Sequence, residues 1–140
     1  MKKILLVCAL LVQCLASHAE DWLTSVPAAI EKVKATNSGK KVLLDFTGSD
    51  WCIWCKRLDT NLLSTPAFAD FAREKLVLVK LDFPHYTQQD PEVKKANIEL
   101  ARKYNVSEFP TLMLLSADGD LLWRHVGVVS LEDLQRAANK

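Results

Sequence analysis

The sequence predicts an α/β fold in which a mixed four-stranded sheet is flanked by helices on both faces. Three observations predict it. Two short runs, "KVLLDFTG" from Lys41 and "LVLVKLDF" from Leu76, are apolar on both faces, as strands buried inside a sheet must be. Helical periodicity fills the segments before, between and after them. Near the C-terminus, "TLMLLSADGDLLWRHVG" sets two apolar runs around Asp118-Gly119, a strong hairpin signal.

Taken in order, the first helix follows Trp22. Val26, Ala29, Ile30 and Val33 recur at helical spacing, Thr24 or Ser25 supplies the cap, and Gly39 lies past the end. The strand from Lys41 stops at Gly48 and Ser49, and from Cys52 the pattern is helical to about Leu63. "STPAFADFAREK" restarts or continues that helix, with Pro66 suited to a first turn. After the second strand, Asp90 and Pro91 open a helix with Val93, Ala96, Leu100 and Tyr104 on one face. The hairpin comes next, and Ser130 then caps a last helix through Leu131 and Leu134, with Asp133 forming part of a capping box. A strand, a crossover helix and a strand make a parallel pair, while the hairpin is antiparallel, so the sheet is mixed.

The first residues address the compartment. Lys2 and Lys3 precede an apolar run from Ile4 to Leu15, followed by a Ser17-x-Ala19 cleavage pattern. A membrane anchor needs about 20 apolar residues, so this run reads as a secretory signal peptide, residues 1–19, cut after Ala19. Residues 20–140 then form one domain, with a soluble product in the periplasm or an equivalent exported space. A lipoprotein signal is the variant to exclude, because Gln13 fits poorly before Cys14. Cleavage removes Cys8 and Cys14, leaving only Cys52 and Cys55 in a space where disulfides form. It also takes Lys+Arg from 18 to 16 against 17 Asp+Glu, a net −1. That balance carries no basic excess for nucleic acid or an anionic membrane.

The informative stretch is "FTGSDWCIWCKRL", Phe46 to Leu58. Zinc would need four ligands, and beyond Cys52 and Cys55 only His85 and His125 are available, 40 residues apart in different elements. Covalent haem needs histidine after the second cysteine, where Lys56 stands. Neither a metal nor a cofactor is therefore expected. A Cys-x-x-Cys where a strand gives way to a helix, in a βαβ context, is a redox signature. Cys52, at the helix start, is the attacking thiol, because the helix dipole and unpaired N–H groups stabilise a thiolate there. Cys55, one turn on and less exposed, resolves the mixed disulfide.

Over about 100 residues from Lys40, "LLDF…WCxWCK" and "VSEFPT" resemble the active-site strand, helix and cis-proline loop of the thioredoxin-like superfamily. More narrowly, "FTGSDWCxWC" and "LDFP" resemble its exported DsbH-type thiol–disulfide oxidoreductases. The resemblance implies the thioredoxin fold, here with an extra N-terminal helix. It implies that Asp45 accepts the Cys55 proton through water, although this sequence has one more residue between "DF" and "WC" than those thioredoxins do. An Asp45 bonded to backbone, or exposed at a strand edge, is the alternative. It further implies a cis Phe109–Pro110 bond facing the disulfide and presenting a peptide edge to substrate, against a plain trans proline. Trp51 and Trp54 are either an apolar substrate rim or ordinary surface packing. Asp50 reads as a loop residue helping to cap the active-site helix, Lys56 as a nearby charge or a solvated lysine, and His85 and His125 as structural or exposed.

Three functional classes follow: a monomeric oxidoreductase that reduces or isomerises disulfides of exported proteins, recharged by a membrane or periplasmic donor; an electron carrier for one partner; and a binding or chaperone module with a structural disulfide. The apolar pair Ile53-Trp54 between the cysteines supplies no charge to a thiolate, which favours a reductase.

Overall fold

The computed structural model describes residues 21–140. The expected leader, residues 1–19, lies outside them. The elements are α1 (Val26–Thr36), β1 (Lys41–Thr47), α2 (Ile53–Leu58), a π-helical turn (Asp59–Leu63), α3 (Pro66–Lys75), β2 (Leu76–Asp82), α4 (Pro91–Lys103), β3 (Thr111–Leu115), β4 (Leu121–Val126) and α5 (Leu131–Ala138). The strands lie in the order β2-β1-β3-β4. β1 pairs parallel with β2 and antiparallel with β3, so Leu44 stands opposite Val79 on one side and Met113 on the other. This is the mixed four-stranded sheet with helices on both faces, including the helix at the N-terminal end.

Alternation along β1 divides the core between the faces. Leu43 packs with Leu58, Phe68, Leu78, Leu112 and Leu134, beneath the π turn, α2, α3 and α5. Val42, Leu44 and Phe46 point the other way, to Val79, Leu81 and Met113, against Val26, Ala29 and Val33 of α1. Asp45 is two residues from Leu43 and so shares the α2 face, where it stands between Leu112 of β3 and Lys80 of β2. That position governs its chemistry below. β2 is at the edge of the sheet rather than its middle. It stays buried because Leu23 lies beside it, donating to the Leu78 carbonyl and accepting from the Lys80 N–H, at 2.9 and 2.8 Å.

The helix starts follow their caps. Ser25, Thr65, Asp90 and Ser130 each accept a backbone N–H from the first turn of α1, α3, α4 and α5, each worth about 1 kcal/mol. Two expectations change in detail. The helix from Cys52 does not run on evenly to Leu63: it widens after Leu58, where the Ser64 N–H reaches back five residues to the Asp59 carbonyl at 2.8 Å. In α4, Ala96 is exposed, and the one fully covered residue is Asn97. Its side-chain amide donates to the Asp82 carbonyl at 3.0 Å, which ties the helix to the end of β2.

Candidate active site

β1 delivers the chain to a tight turn in which the Trp51 and Cys52 N–H groups both bond the Gly48 carbonyl, at 3.3 and 2.9 Å. Cys52 is the N-cap of α2, and its sulfur accepts the Cys55 N–H at 3.2 Å, as a serine hydroxyl would. Cys52 and Cys55 are joined in a disulfide, with their Cα atoms 5.3 Å apart. Exposure barely separates them, at 6% and 4%. Their surroundings do. The Cys52 sulfur lies 3.7 Å from the Phe109 carbonyl oxygen, at the cis Phe109–Pro110 bond. The Cys55 sulfur faces inward and accepts the Gly48 N–H at 3.4 Å. Pro110 is buried, and its carbonyl accepts the Gly127 N–H at 2.8 Å, so the hairpin holds the proline loop in place.

Behind Cys55 is a cavity of about 340 Å³, lined by Asp45, Cys55, Lys56, Asp59 and Lys80 among others. Asp45 is 3% exposed, and its Oδ1 has no hydrogen-bond partner among the described residues. Burial pushes its carboxyl up from 3.8 to about 7; the Lys80 ammonium opposes the rise, and Asp59 and Asp82 add to it. Water takes about 30 Å³ apiece, so the cavity has room for several waters beside Cys55 and Asp45.

The tryptophans have different environments. Trp51 is half-buried: its indole N–H donates to the Phe83 carbonyl at 2.8 Å, its ring stacks on His85 at 4.3 Å, and Phe109 meets it edge-on at 5.9 Å. Trp54 is 53% exposed with Arg57 over its ring, and Ile53 is 66% exposed beside it. Trp51 thus packs against the cis-proline loop, whereas Trp54 and Ile53 are exposed on α2.

Asp50 corrects the sequence reading. It does not cap α2, since Cys52 does that. Its carboxylate instead accepts the N–H groups of His85, Tyr86 and Thr87. Those bonds, His85's first, hold it down at about 2. Lys56 reaches the Asp50 carbonyl at 3.4 Å. His125 stacks on Trp123 of β4, far from His85 in the fold, and among the described residues no group of three or more His, Cys, Asp or Glu could hold a metal ion. Sequence reasoning missed Lys80 and Asp59. Lys80 had a signal: it is the one charge inside the apolar run from Leu76 to Leu81, directly across from Asp45 in the parallel register.

Comparison with known proteins bears on the same residues. The thioredoxin-like domain family matches residues 27–140. Disulfide bond reductase DsbH of Chlamydia pneumoniae is 40% identical over 85 residues, which cover 61% of this chain and 51% of that protein. The chain thus spans about half the length of that relative. Thioredoxin of Bacillus subtilis is 32% identical over 118 residues, covering 82% of this chain and 95% of that one. Among solved structures, a DsbH oxidoreductase superposes with a TM-score of 0.74 at 33% identity, covering 86% of this chain and 88% of the other.

Proposed function

This chain belongs to the thioredoxin-like family, and from that premise we propose that it is a thiol–disulfide oxidoreductase working through Cys52 and Cys55. The observation that carries the reading is that the Cys52 sulfur lies at the cis-proline carbonyl, whereas Cys55 shares a cavity with the buried acid Asp45. In the reduced protein, the Cys52 thiolate attacks a substrate disulfide. A mixed disulfide forms and one substrate thiolate leaves. Cys55 then gives its proton through water to Asp45 and attacks the Cys52 sulfur, which releases the second substrate thiolate and closes the Cys52–Cys55 disulfide. Two electrons have passed to the substrate. An acid held near 7 is matched to accepting a proton at neutral pH.

Substrate is held, on this reading, by the Phe109 and Pro110 backbone edge and by the Trp51 and Trp54 rings. The net direction is reduction or isomerisation of disulfides in exported proteins. The likeness to a disulfide bond reductase and the uncharged Ile53-Trp54 pair support that direction. The protein acts as a monomer in the periplasm after loss of residues 1–19, and a membrane or periplasmic donor returns it to the reduced state. N-terminal mass analysis of the native protein should find Glu20 first; a retained leader or a lipid on Cys14 would contradict export in soluble form.

Trapping tests the chemistry. Cys55→Ser should accumulate a mixed disulfide with protein substrates on a non-reducing gel, while Cys52→Ser should form none. Equal adducts from both variants would defeat the division of roles, and adducts from neither would favour a binding module whose disulfide is structural.

A further inference from the structure

Asp50 joins two parts of the site's rim that the sequence keeps 35 residues apart. Its Oδ1 accepts the His85 N–H at 2.9 Å, and its Oδ2 accepts those of Tyr86 at 2.9 Å and Thr87 at 2.8 Å. Three successive backbone N–H groups converging on one carboxylate make an anion nest. Bonds to an ionised acceptor are about twice as strong as neutral ones. The carboxyl is held near 2, so the clamp is charged at any pH where the protein works.

What the clamp holds is the loop between β2 and α4, which has no helix or strand of its own from Phe83 to Gln89. The next residue completes the fastening: the Trp51 ring stacks on His85 with an interplanar angle of 6°, and its N–H bonds Phe83. Adjacent residues of the active-site turn therefore grip the loop, one by charge and one by its ring. The product is an aromatic wall that begins one residue from Cys52. Phe109 meets Trp51 edge-on, Phe83 lies 5.1 Å from Phe109, and Tyr86 stands 6.2 Å from His85 with 83% of its surface exposed. A tyrosine so exposed makes little contact with its own fold.

We propose that Asp50 is a positioning residue that pre-forms a substrate-facing wall, by holding the 85–87 loop so that His85 and Tyr86 receive an apolar or aromatic side chain flanking the disulfide of an extended polypeptide. The inference rests on the oxidoreductase reading above. An ordered loop spares the binding step the entropy of immobilising those side chains.

The test is steady-state disulfide reduction by the full protein, with insulin as polypeptide substrate and 5,5′-dithiobis(2-nitrobenzoic acid) as a small one. It is run alongside amide spectra of residues 85–87 and the Trp51 indole. Asp50→Ala should shift the loop amides and raise KM for insulin about tenfold, with kcat held within about twofold, the loss expected from leaving two side chains to be ordered on binding. Asp50→Asn, which keeps one acceptor oxygen without the charge, should fall between and serves if the alanine variant folds poorly. Tyr86→Ala should raise the same KM without moving the His85 and Thr87 amides. Shifted amides with an unchanged insulin KM would overturn the inference alone. So would equal losses of kcat on both substrates, which would put Asp50 in the thiol chemistry. Wild-type protein that reduces neither substrate would instead overturn the oxidoreductase reading, and this one with it.

Discussion

Asp45→Asn should make the protein more stable at high pH and leave it nearly unchanged at low pH. The carboxyl is enclosed on the α2 face of β1 and held at about 7, against 3.8 in an unfolded chain. Folding therefore prefers the protonated acid. That preference is fully present below pH 3.8 and is lost as pH rises through 7. At about 1.4 kcal/mol for each pH unit between the two values, the folded state gives up about 4 kcal/mol by pH 9. The asparagine has the same shape and no charge to lose. Below pH 3.8 it leaves the same polar oxygen without a partner as the protonated acid does, so the two proteins should agree there within about 1 kcal/mol; at pH 5 the unfolded carboxyl is already ionised, and the variant should lead by about 2 kcal/mol. At pH 9 the variant should be more stable by the full difference of about 4 kcal/mol. Urea unfolding of the oxidised protein at pH 5, 7 and 9 measures this, with an unchanged m-value showing that the same surface unfolds. Removing the opposing cation, as in Lys80→Met, should carry the wild-type midpoint above 7. Parallel pH curves for wild type and Asp45→Asn would show that Asp45 is solvated and titrates normally, and the proton route through the cavity would fall with it.

Two further outcomes follow from the same geometry. Gly48→Ala would set a Cβ 2.5 Å from the Trp51 ring, which is pinned by His85 and by its bond to Phe83; a loss of about 1–3 kcal/mol is expected by urea unfolding, and an unchanged midpoint would mean the ring is not fixed. The Cys52–Cys55 potential should fall nearer the thioredoxin value of roughly −270 mV than the DsbA value of roughly −120 mV, because neither Ile53 nor Trp54 offers charge to the thiolate. Equilibration against redox buffers decides that point, and a pair that stays reduced in strongly oxidising buffer would make the protein an oxidant.

Much of the fold was legible because its signals are local. The double-sided apolar runs of β1 and β2, the Asp118-Gly119 turn and the caps at Ser25 and Ser130 each state a backbone preference within a few residues. The cysteines were legible for the same reason. What escaped depends on distance or on disguise. Asp50 stands beside the active-site helix in sequence, and its cap reading fails because its true donors are 35 to 37 residues away. Asn97 is polar, so a search for apolar periodicity chose Ala96, which is exposed. Burial of Asn97 follows only from the Asp82 carbonyl it satisfies. The π turn after Leu58 has no signature in "DTNLL", yet its first residue, Asp59, lines the cavity with Asp45.

The one extra residue between "DF" and "WC" bears on whether Asp45 can serve Cys55 at all. In a straight strand, one added residue would turn every later side chain to the opposite face. Here β1 ends at Thr47, so three of the four residues between "DF" and "WC" lie in the turn before Cys52, where Gly48 takes two N–H groups on its carbonyl and its own N–H bonds the Cys55 sulfur. The turn absorbs the residue, and Asp45 and Cys55 still line one cavity. The same turn carries Asp50 and Trp51, the two residues that grip the 85–87 loop. In the mechanism proposed above, substrate approaches Cys52 from the side of Phe109 and His85, while the Cys55 proton leaves into the cavity it shares with Asp45. That mechanism gives each half of the exchange its own route, so the charge that develops behind the disulfide does not have to cross the aromatic wall in front of it.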